Sequence, residues 1–254
     1  MSELIVAAVN NQIVLQQNLL ASPSIADGEI PVALYTDQRS ASQAYNRALS
    51  ETTADTVIFA HQDVYLPRSF INRLRASIGE FNSTHQSPWA VLGVIGATSA
   101  GRRLGRAWSS GLNREVGMPF SGPVPVVSID ELLIVVRRSS GLTFDGGLPG
   151  FHLYGTDIVQ SALVHGLGAY VIHAPVVHNS NPASLGIDYW CAYHHLASKW
   201  RKRLPIPTCI VPVRRSRWPE LHYRAAQWWQ SRFPADPRGG RQENPAAIAD
   251  RLGF

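Results

Sequence analysis

Cysteine is nearly missing: Cys191 and Cys209 are the two that 254 residues contain. Two thiols without metal-ligand spacing exclude a disulfide scaffold and a cysteine-built zinc site. Lysine is equally scarce, with Lys199 and Lys202 alone, so the positive charge is almost all arginine. Long apolar runs are also missing. The longest, 89–97 and 132–136, fall far short of the roughly 20 residues that span a bilayer. The opening MSELIVAAVN enters its apolar run behind an acid and without a basic leader, which does not read as a signal peptide. These absences predict a soluble cytoplasmic protein. No GxGxxG follows Val9, and neither GxxxxGK[ST] nor GxSxG occurs anywhere. A dinucleotide fingerprint, a P-loop and a hydrolase elbow are therefore excluded by motif. No segment repeats at a fixed period.

What is present is ample core material: 45% of residues are hydrophobic and 16% charged. The length suits one large α/β domain, or a core of about 200 residues with an appendage. Charge divides the chain. Up to Ser198, 11 arginines face 14 acids for a net −3; from Lys199 onward, 12 cations face 4 acids for a net +8. A basic C-terminal quarter suggests an anionic contact, be it phosphates, a membrane surface or nucleic acid, unless it is a solvated face.

The first hundred residues alternate between short apolar runs and amphipathic stretches. Strands are predicted at 4–9, 31–35, 56–60 and 89–95, with helices at 12–20, 40–50 and from Pro67 to about 79. This alternation implies a parallel sheet covered on both faces, whose ligands bind beyond the carboxyl ends of the strands. The rule selects Asn10, Asp37 and the 61–65 segment, polar groups that each follow a strand. Residues 96–122, rich in Gly, Ser and Arg, read as a long irregular excursion. Strands resume at 124–127 and 131–136, a glycine-rich aromatic loop covers 144–155, and a helix 158–165. A strand at 169–173, a polar loop at 178–184 and a helix at 189–203 follow. A Trp- and Arg-rich stretch and a Pro/Gly-broken tail close the chain.

Three groups of residues can carry chemistry. In HQDV, at the mouth of the third strand, Asp63 either helps hold a Mg²⁺– or Mn²⁺–diphosphate complex or caps the helix beginning near Pro67. In FDGGLPGFHLYGTD, Asp157 at a helix start is either a general base towards a hydroxyl or an N-terminal helix charge. In VIHAPVVHNS, His178 heads a polar loop and can reach a metal at the sheet's end. His173 reads as a hydrogen-bonded core residue, and His194 and His195 as packing or surface residues.

SASQAYNRALSETTADTVIFAHQDVYLP resembles family 2 glycosyltransferases, in which an Arg-Asn element on a helix precedes an apolar strand ending in DxD. More specifically, AYNRAL with VIFAHQDVYLP, FHLYGTDIVQSALVHGLGAYVI and VVHNS is similar to the streptomycin-biosynthesis-type glycosyltransferase-like domain, where HQD stands for DxD. The similarity covers residues 4–200.

The resemblance implies a GT-A fold: a Rossmann-like, mostly parallel sheet flanked by helices, followed here by a helical basic C-terminal appendage over 201–254. It implies a nucleotide-sugar donor, a glycan or other hydroxyl acceptor and a divalent metal, Mn²⁺ or Mg²⁺. Asp63 takes the place of the metal-binding last Asp of DxD, and His61 that of the first, with Gln62 between them. Asn46 matches the Asn of the Arg-Asn element, Asp37 the base- or ribose-contacting acid and His178 the histidine completing metal coordination. Asp157 matches the base of inverting enzymes. Tyr45 stands where that family has Arg, and Thr156 where it has Glu. Positive charge opposite the leaving diphosphate would come from the metal, from arginines of 102–106 or from the basic C-terminus. A module that binds its ligand without turnover is the alternative. Nucleic-acid binding is the weaker reading of the Trp- and Arg-rich end, whereas peripheral contact with the inner membrane face and a lipid-linked acceptor suits it.

Overall fold

The structure, a computed structural model, describes residues 2–83, 88–181, 185–232 and 243–254. The chain opens with β1 (Glu3–Val9), α1 (Gln12–Gln17), α2 (Pro23–Ala26), β2 (Val32–Thr36), α3 (Ala41–Glu51) and β3 (Thr56–Ala60). Next come β4 (Val64–Tyr65), α4 (Phe70–Ser83), β5 (Trp89–Gly93), β6 (Ile95–Ala97), β7 (Arg103–Gly105), β8 (Ala107–Ser109) and β9 (Arg114–Val116). β10 (Val124–Pro125), β11 (Ser128–Ile129), β12 (Leu133–Arg137), α5 (Tyr154–Val164), β13 (Gly168–Val171) and β14 (Val176–His178) follow. α6 (Ile187–Lys199), α7 (Trp218–Arg232) and α8 (Pro245–Leu252) complete the series.

Seven strands form the central sheet in the order β10-β13-β5-β12-β3-β1-β2. β1, β2, β3, β5 and β13 run one way. β12 is antiparallel to both of its neighbours, and β10 to β13. Side-chain alternation splits the core between the two faces. Val6, Val57 and Phe59 join Ala44, Tyr45, Tyr154, Ile158 and Tyr193 of α3, α5 and α6 on one side. Ile5, Ala7, Ile58 and Ala60 join Leu15 of α1 and Phe70, Leu74 and Ile78 of α4 on the other. The i, i+4, i+8 spacing of those three α4 residues makes one buried stripe, each side chain contributing about 1.5–3 kcal/mol.

Several expectations are corrected. The helix expected over 12–20 is broken into α1, a 3-10 turn and α2, with Pro23 opening α2. α4 begins at Phe70 rather than Pro67, whose carbonyl instead accepts the Phe70 N–H at 2.9 Å. The 96–122 excursion is not irregular: it holds β7, β8 and β9, which join two small sheets, β11-β6-β7 and β4-β14-β8-β9. Three-residue strands are too short to show alternation. Their bends fall at glycines such as Gly105, at φ 137°, where a Cβ would lie 2.2 Å from the Val94 carbonyl. α5 starts a turn earlier than expected, at Tyr154, because Leu153 turns the chain through a left-handed φ of 63°. α6 covers Ile187–Lys199 rather than 189–203. Residues 182–184 of the expected polar loop and 233–242 of the expected tail lie outside the described residues.

Beyond residue 200, Ile206 and Val213 pair across a bridge and are buried in the main core. α7 lies against α6, with Tyr223 and Trp190 ring centroids 5.8 Å apart. α8 packs behind β14, where Ile248 and Ala249 join Tyr65 and Val177. Among the described residues, no helix is long and apolar enough to cross a membrane.

Candidate functional site

The carboxyl ends of β1, β2 and β3 meet at one sheet edge, as parallel strands require. A cavity of about 350 Å³ opens there, lined by Asn10, Tyr35, Asp37, His61, Gln62 and Asp63, with Tyr45, Phe151 and Tyr154 among the other walls. Its size suits a small-molecule ligand. Asp37 turns the chain out of β2 at φ 56°, in the left-handed region that Asp tolerates better than most residues. Gln62 ties two strand ends together: its Oε1 accepts the Asn10 and Asn11 N–H groups at 3.1 and 3.0 Å, and its Nε2 donates to Asn10 Oδ1 at 2.5 Å.

His178 arrives from a different sheet. β14 pairs antiparallel with β4, placing His178 opposite Val64, and the Asn179 N–H donates to the Asp63 carbonyl at 2.8 Å. His178 Nε2 thereby comes within 3.4 Å of Asp63 Oδ1, while His61 Nδ1 lies 4.0 Å from the same oxygen. One donor atom from each of His61, Asp63 and His178 falls within a 4.8 Å span of the others, the one such group among the described residues. Asp63 does not cap α4.

Electrostatics and hydrogen bonding prepare the three donors. Burial would raise the Asp63 carboxyl, but the charge and hydrogen bond of His178 hold it well below the usual carboxylate range. Burial depresses His178 too, and Asp63 more than offsets it, leaving the imidazole above its ordinary value. Burial pulls His61 below its ordinary value, with Asp63 opposing. The Tyr154 hydroxyl donates to the Glu131 carbonyl at 3.1 Å and lies 2.9 Å from His61 Nε2. With the hydroxyl proton on the Glu131 carbonyl, the hydroxyl oxygen is placed to accept from His61 Nε2–H, the tautomer that leaves Nδ1 on the Asp63 side.

Two predicted residues are placed elsewhere. Asn46 clasps the backbone of Phe144, donating to its carbonyl and accepting its N–H, both at 2.8 Å. Asp157 is 1% exposed. Lys199 Nζ approaches its two oxygens at 2.8 and 2.9 Å, and the Trp200 indole N–H donates to Oδ1 at 2.7 Å. Lys199 also bonds Asp145 at 2.8 Å, with His195 Nε2 3.0 Å from the same oxygen, so the cluster joins α5, α6 and the 144–150 loop. His173, expected in the core, is exposed and lies 3.0 Å from Arg73 Nη1. His194 pairs with Glu220 at 2.7 Å, a packing contact as expected.

Sequence reasoning missed Tyr154, Asn179 and the Asp130–Glu131 pair. The reversed direction of β12 carries that acidic pair to the ligand edge, where the Leu132 carbonyl accepts the His61 N–H at 3.0 Å. Burial pushes the Glu131 carboxyl up to about 8, with the Asp130 charge adding to it. Two acids directly ahead of the apolar run LLIVV were the available signal.

No protein-family model matches the chain. A curated relative, "ATP synthase subunits region ORF 6" of Fuscovulum blasticum, is 28% identical over 158 residues, 59% of this chain. The match spans 61% of that relative, under two thirds of its length. Among solved structures, S. aureus TarS 1-349 aligns at a TM-score of 0.47 with 14% identity, covering 78% of this chain and 65% of that one. Mannosyltransferase PcManGT from Pyrobaculum calidifontis, in complex with GDP-Man and Mn²⁺, aligns at 0.50 with 10% identity, covering 99% of this chain and 79% of that one. The last likeness shows the fold. The mostly parallel seven-stranded sheet flanked by helices is the GT-A arrangement that the sequence resemblance implies.

Proposed function

We propose that this chain is a glycosyltransferase that binds a nucleotide-sugar donor in the cavity at the ends of β1, β2 and β3 and passes the sugar to a hydroxyl of a glycan or lipid-linked acceptor. One observation carries this reading: five residues selected from the sequence as donor-site residues, Asn10, Asp37, His61, Gln62 and Asp63, line the same cavity. Asp37 and Tyr35, beyond β2, are the groups we assign to the nucleoside. The HQD element takes the diphosphate end. Residues 1–200 are proposed as the transferase unit, family 2-like and working with a hexosyl or related donor in polysaccharide synthesis on the cytoplasmic side. Residues 201–254 are proposed as its appendage. GDP-Man, with which PcManGT was solved, is a nucleotide sugar of the proposed class.

His61, Asp63 and His178 fit a divalent metal by their clustering and by their chemistry. Two imidazoles with one carboxylate favour a first-row transition ion such as Mn²⁺ over Mg²⁺, which prefers oxygen ligands. Bound there, the metal supplies positive charge beside the diphosphate as negative charge grows on the leaving group. The chain's own part is to hold these donors. Tyr154 sets the His61 tautomer, Asn179 fixes His178 against Asp63, and Gln62 locks the end of β1 beside them.

A thermal-shift screen of UDP, GDP, CMP and dTDP sugars, with and without Mn²⁺, on wild type and Asp63→Ala tests the reading. A ligand at a hundred times its Kd stabilises by about 2.7 kcal/mol. A Mn²⁺-dependent shift with one nucleotide, lost in Asp63→Ala, is expected; no shift with any donor overturns it.

One observation favours the second reading, a GT-A module that binds its donor without turnover. Asp157, the base that an inverting displacement would take from the family resemblance, is sealed by Lys199 and Trp200. Asp157→Asn tests the base, and transfer by wild type tests the module. Transfer lost with donor binding kept supports Asp157 as the base, and transfer at the wild-type rate leaves it as an anchor. Donor binding by wild type without transfer or donor hydrolysis across an acceptor panel supports the module.

A further inference from the structure

α7 is amphipathic in the reverse of the usual sense. Its inward face is fixed by Glu220, 2.7 Å from His194, by the Tyr223 hydroxyl accepting the Leu185 N–H at 2.9 Å and by the Tyr223 ring against Trp190. Its outward face carries the large apolar groups. Trp218, Leu221, Trp228 and Trp229 are 74%, 58%, 54% and 61% exposed. At 3.6 residues per turn, these four and exposed Ala225 fall in one stripe about 100° wide along a helix about 22 Å long. Propensity and core packing explain the inner face of this helix. They do not explain why Trp218 and Leu221 are 74% and 58% exposed.

Charge identifies what the stripe meets. Between residues 214 and 229 the cations are Arg214, Arg215, Arg217 and Arg224, all exposed, and the single acid, Glu220, is buried and pairs with Arg224 at 2.7 Å and Arg217 at 3.6 Å. Exposed tryptophan and leucine with exposed arginines in and just ahead of the same helix, and no exposed carboxylate from 214 to 229, match the two layers of an anionic bilayer surface. Indole sits at the headgroup boundary, and each arginine near it gains from the negative surface potential. A second copy of the chain would bring the same positive charge to the contact. Single-stranded nucleic acid would use the arginines but leave Leu221 without a role.

We propose that α7 is an interfacial helix that seats the protein on an anionic phospholipid surface through Trp218, Leu221, Trp228 and Trp229, with Arg214, Arg215, Arg217 and Arg224 on the headgroups. The proposal stands whether or not the donor reading does.

Cosedimentation of the full chain with phosphatidylcholine vesicles, and with vesicles of phosphatidylcholine and phosphatidylglycerol, tests it. Wild type is expected to partition to the anionic vesicles, with a blue shift of tryptophan fluorescence and loss of binding in high salt. Leu221→Glu and Arg214→Glu are each expected to weaken partitioning about tenfold or more. Both side chains are exposed, so circular dichroism and Tm should not change, and a donor-induced thermal shift measured on the same samples reports separately on the cavity. Equal binding by wild type and Leu221→Glu, or no binding by wild type, overturns the proposal. A concentration-dependent dimer broken by Leu221→Glu without vesicle binding overturns it in favour of self-association. Salt-sensitive oligonucleotide binding without vesicle binding overturns it in favour of nucleic acid.

Discussion

His178 Nε2 stands 3.4 Å from Asp63 Oδ1 although 115 residues separate them in sequence, because the Asn179 N–H is bonded to the Asp63 carbonyl one position along. The Asn179 side chain anchors this register. It is buried, donates to Asn18 Oδ1 at 2.9 Å and to the Glu243 carbonyl at 3.2 Å, and accepts from the Ser110 hydroxyl at 2.7 Å. Asn179→Ala should therefore lower Mn²⁺ affinity by about 10–100-fold, the usual effect of removing a group that orients ligands. His178→Ala or Asp63→Asn should lower it further. Isothermal titration on the three variants checks the order. Asn179→Ala should also cost about 1–3 kcal/mol of stability, since it strands buried partners.

Tyr154→Phe isolates the tautomer. The ring remains packed against Tyr45 and Phe144, at centroid distances of 5.5 and 6.0 Å, so the fold should hold. His61 loses the acceptor that keeps its proton on Nε2. Metal affinity should fall by about 10–100-fold, and ¹⁵N shifts of His61 should show the Nδ1–H form gaining population. An unchanged tautomer ratio would count against this role for the hydroxyl.

Gly155→Ala should destabilise the fold. A Cβ there would lie 2.5 Å from the Ile129 carbonyl of β11 and 3.1 Å from Ile134 Cδ1 of β12, so α5 must move off both strands. Overpacking of this kind costs about 1–3 kcal/mol. A fall in Tm of about 2–4 °C per kcal/mol follows at this size, measurable by calorimetry.

Part of the acid sensitivity should trace to Asp145. Burial would raise its carboxyl, but Lys199, His195 and the Gly147 N–H hold it well below the usual carboxylate range. A depressed folded value means the stabilisation is complete above the unfolded value, near 3.9, and is lost as pH falls through the folded one. Asp145→Asn should thus be less stable than wild type at neutral pH. The gap should close as pH falls below about 4, and urea titrations at several pH values measure it.

The parts of the fold that were legible in the sequence are those with strong local signals. TVIFA and WAVLG are apolar runs of strand length, and Asn10, Asp37 and His61 were found because a parallel sheet places its ligands after such runs. β7, β8 and β9 carry no such pattern at three residues each, and the reversal of β12 leaves no trace in its own composition. The Asp157 environment was illegible for a different reason. Its partners Lys199 and Trp200 sit some forty residues on, at the end of a helix whose orientation only the assembled core decides. Tyr154 was quoted within a motif, but its role needed the distance to His61.

The position of β12 also dictates an order of assembly. Strands β1, β2 and β3 can zip together once Ala60 is made, and β5 some thirty residues later, yet β3 and β5 never touch: β12, ending at Arg137, separates them. A chain emerging from the ribosome therefore carries open edges at β3 (TVIFA) and β5 (WAVLG) until Arg137 has been made. Such edges are pairing templates for other chains. Nascent-chain vulnerability should peak in that interval and fall when LLIVV inserts, β5 keeping one open side until β13 is made. A truncation stopping at Asp130 should aggregate, whereas the full chain, with the gap filled, should not.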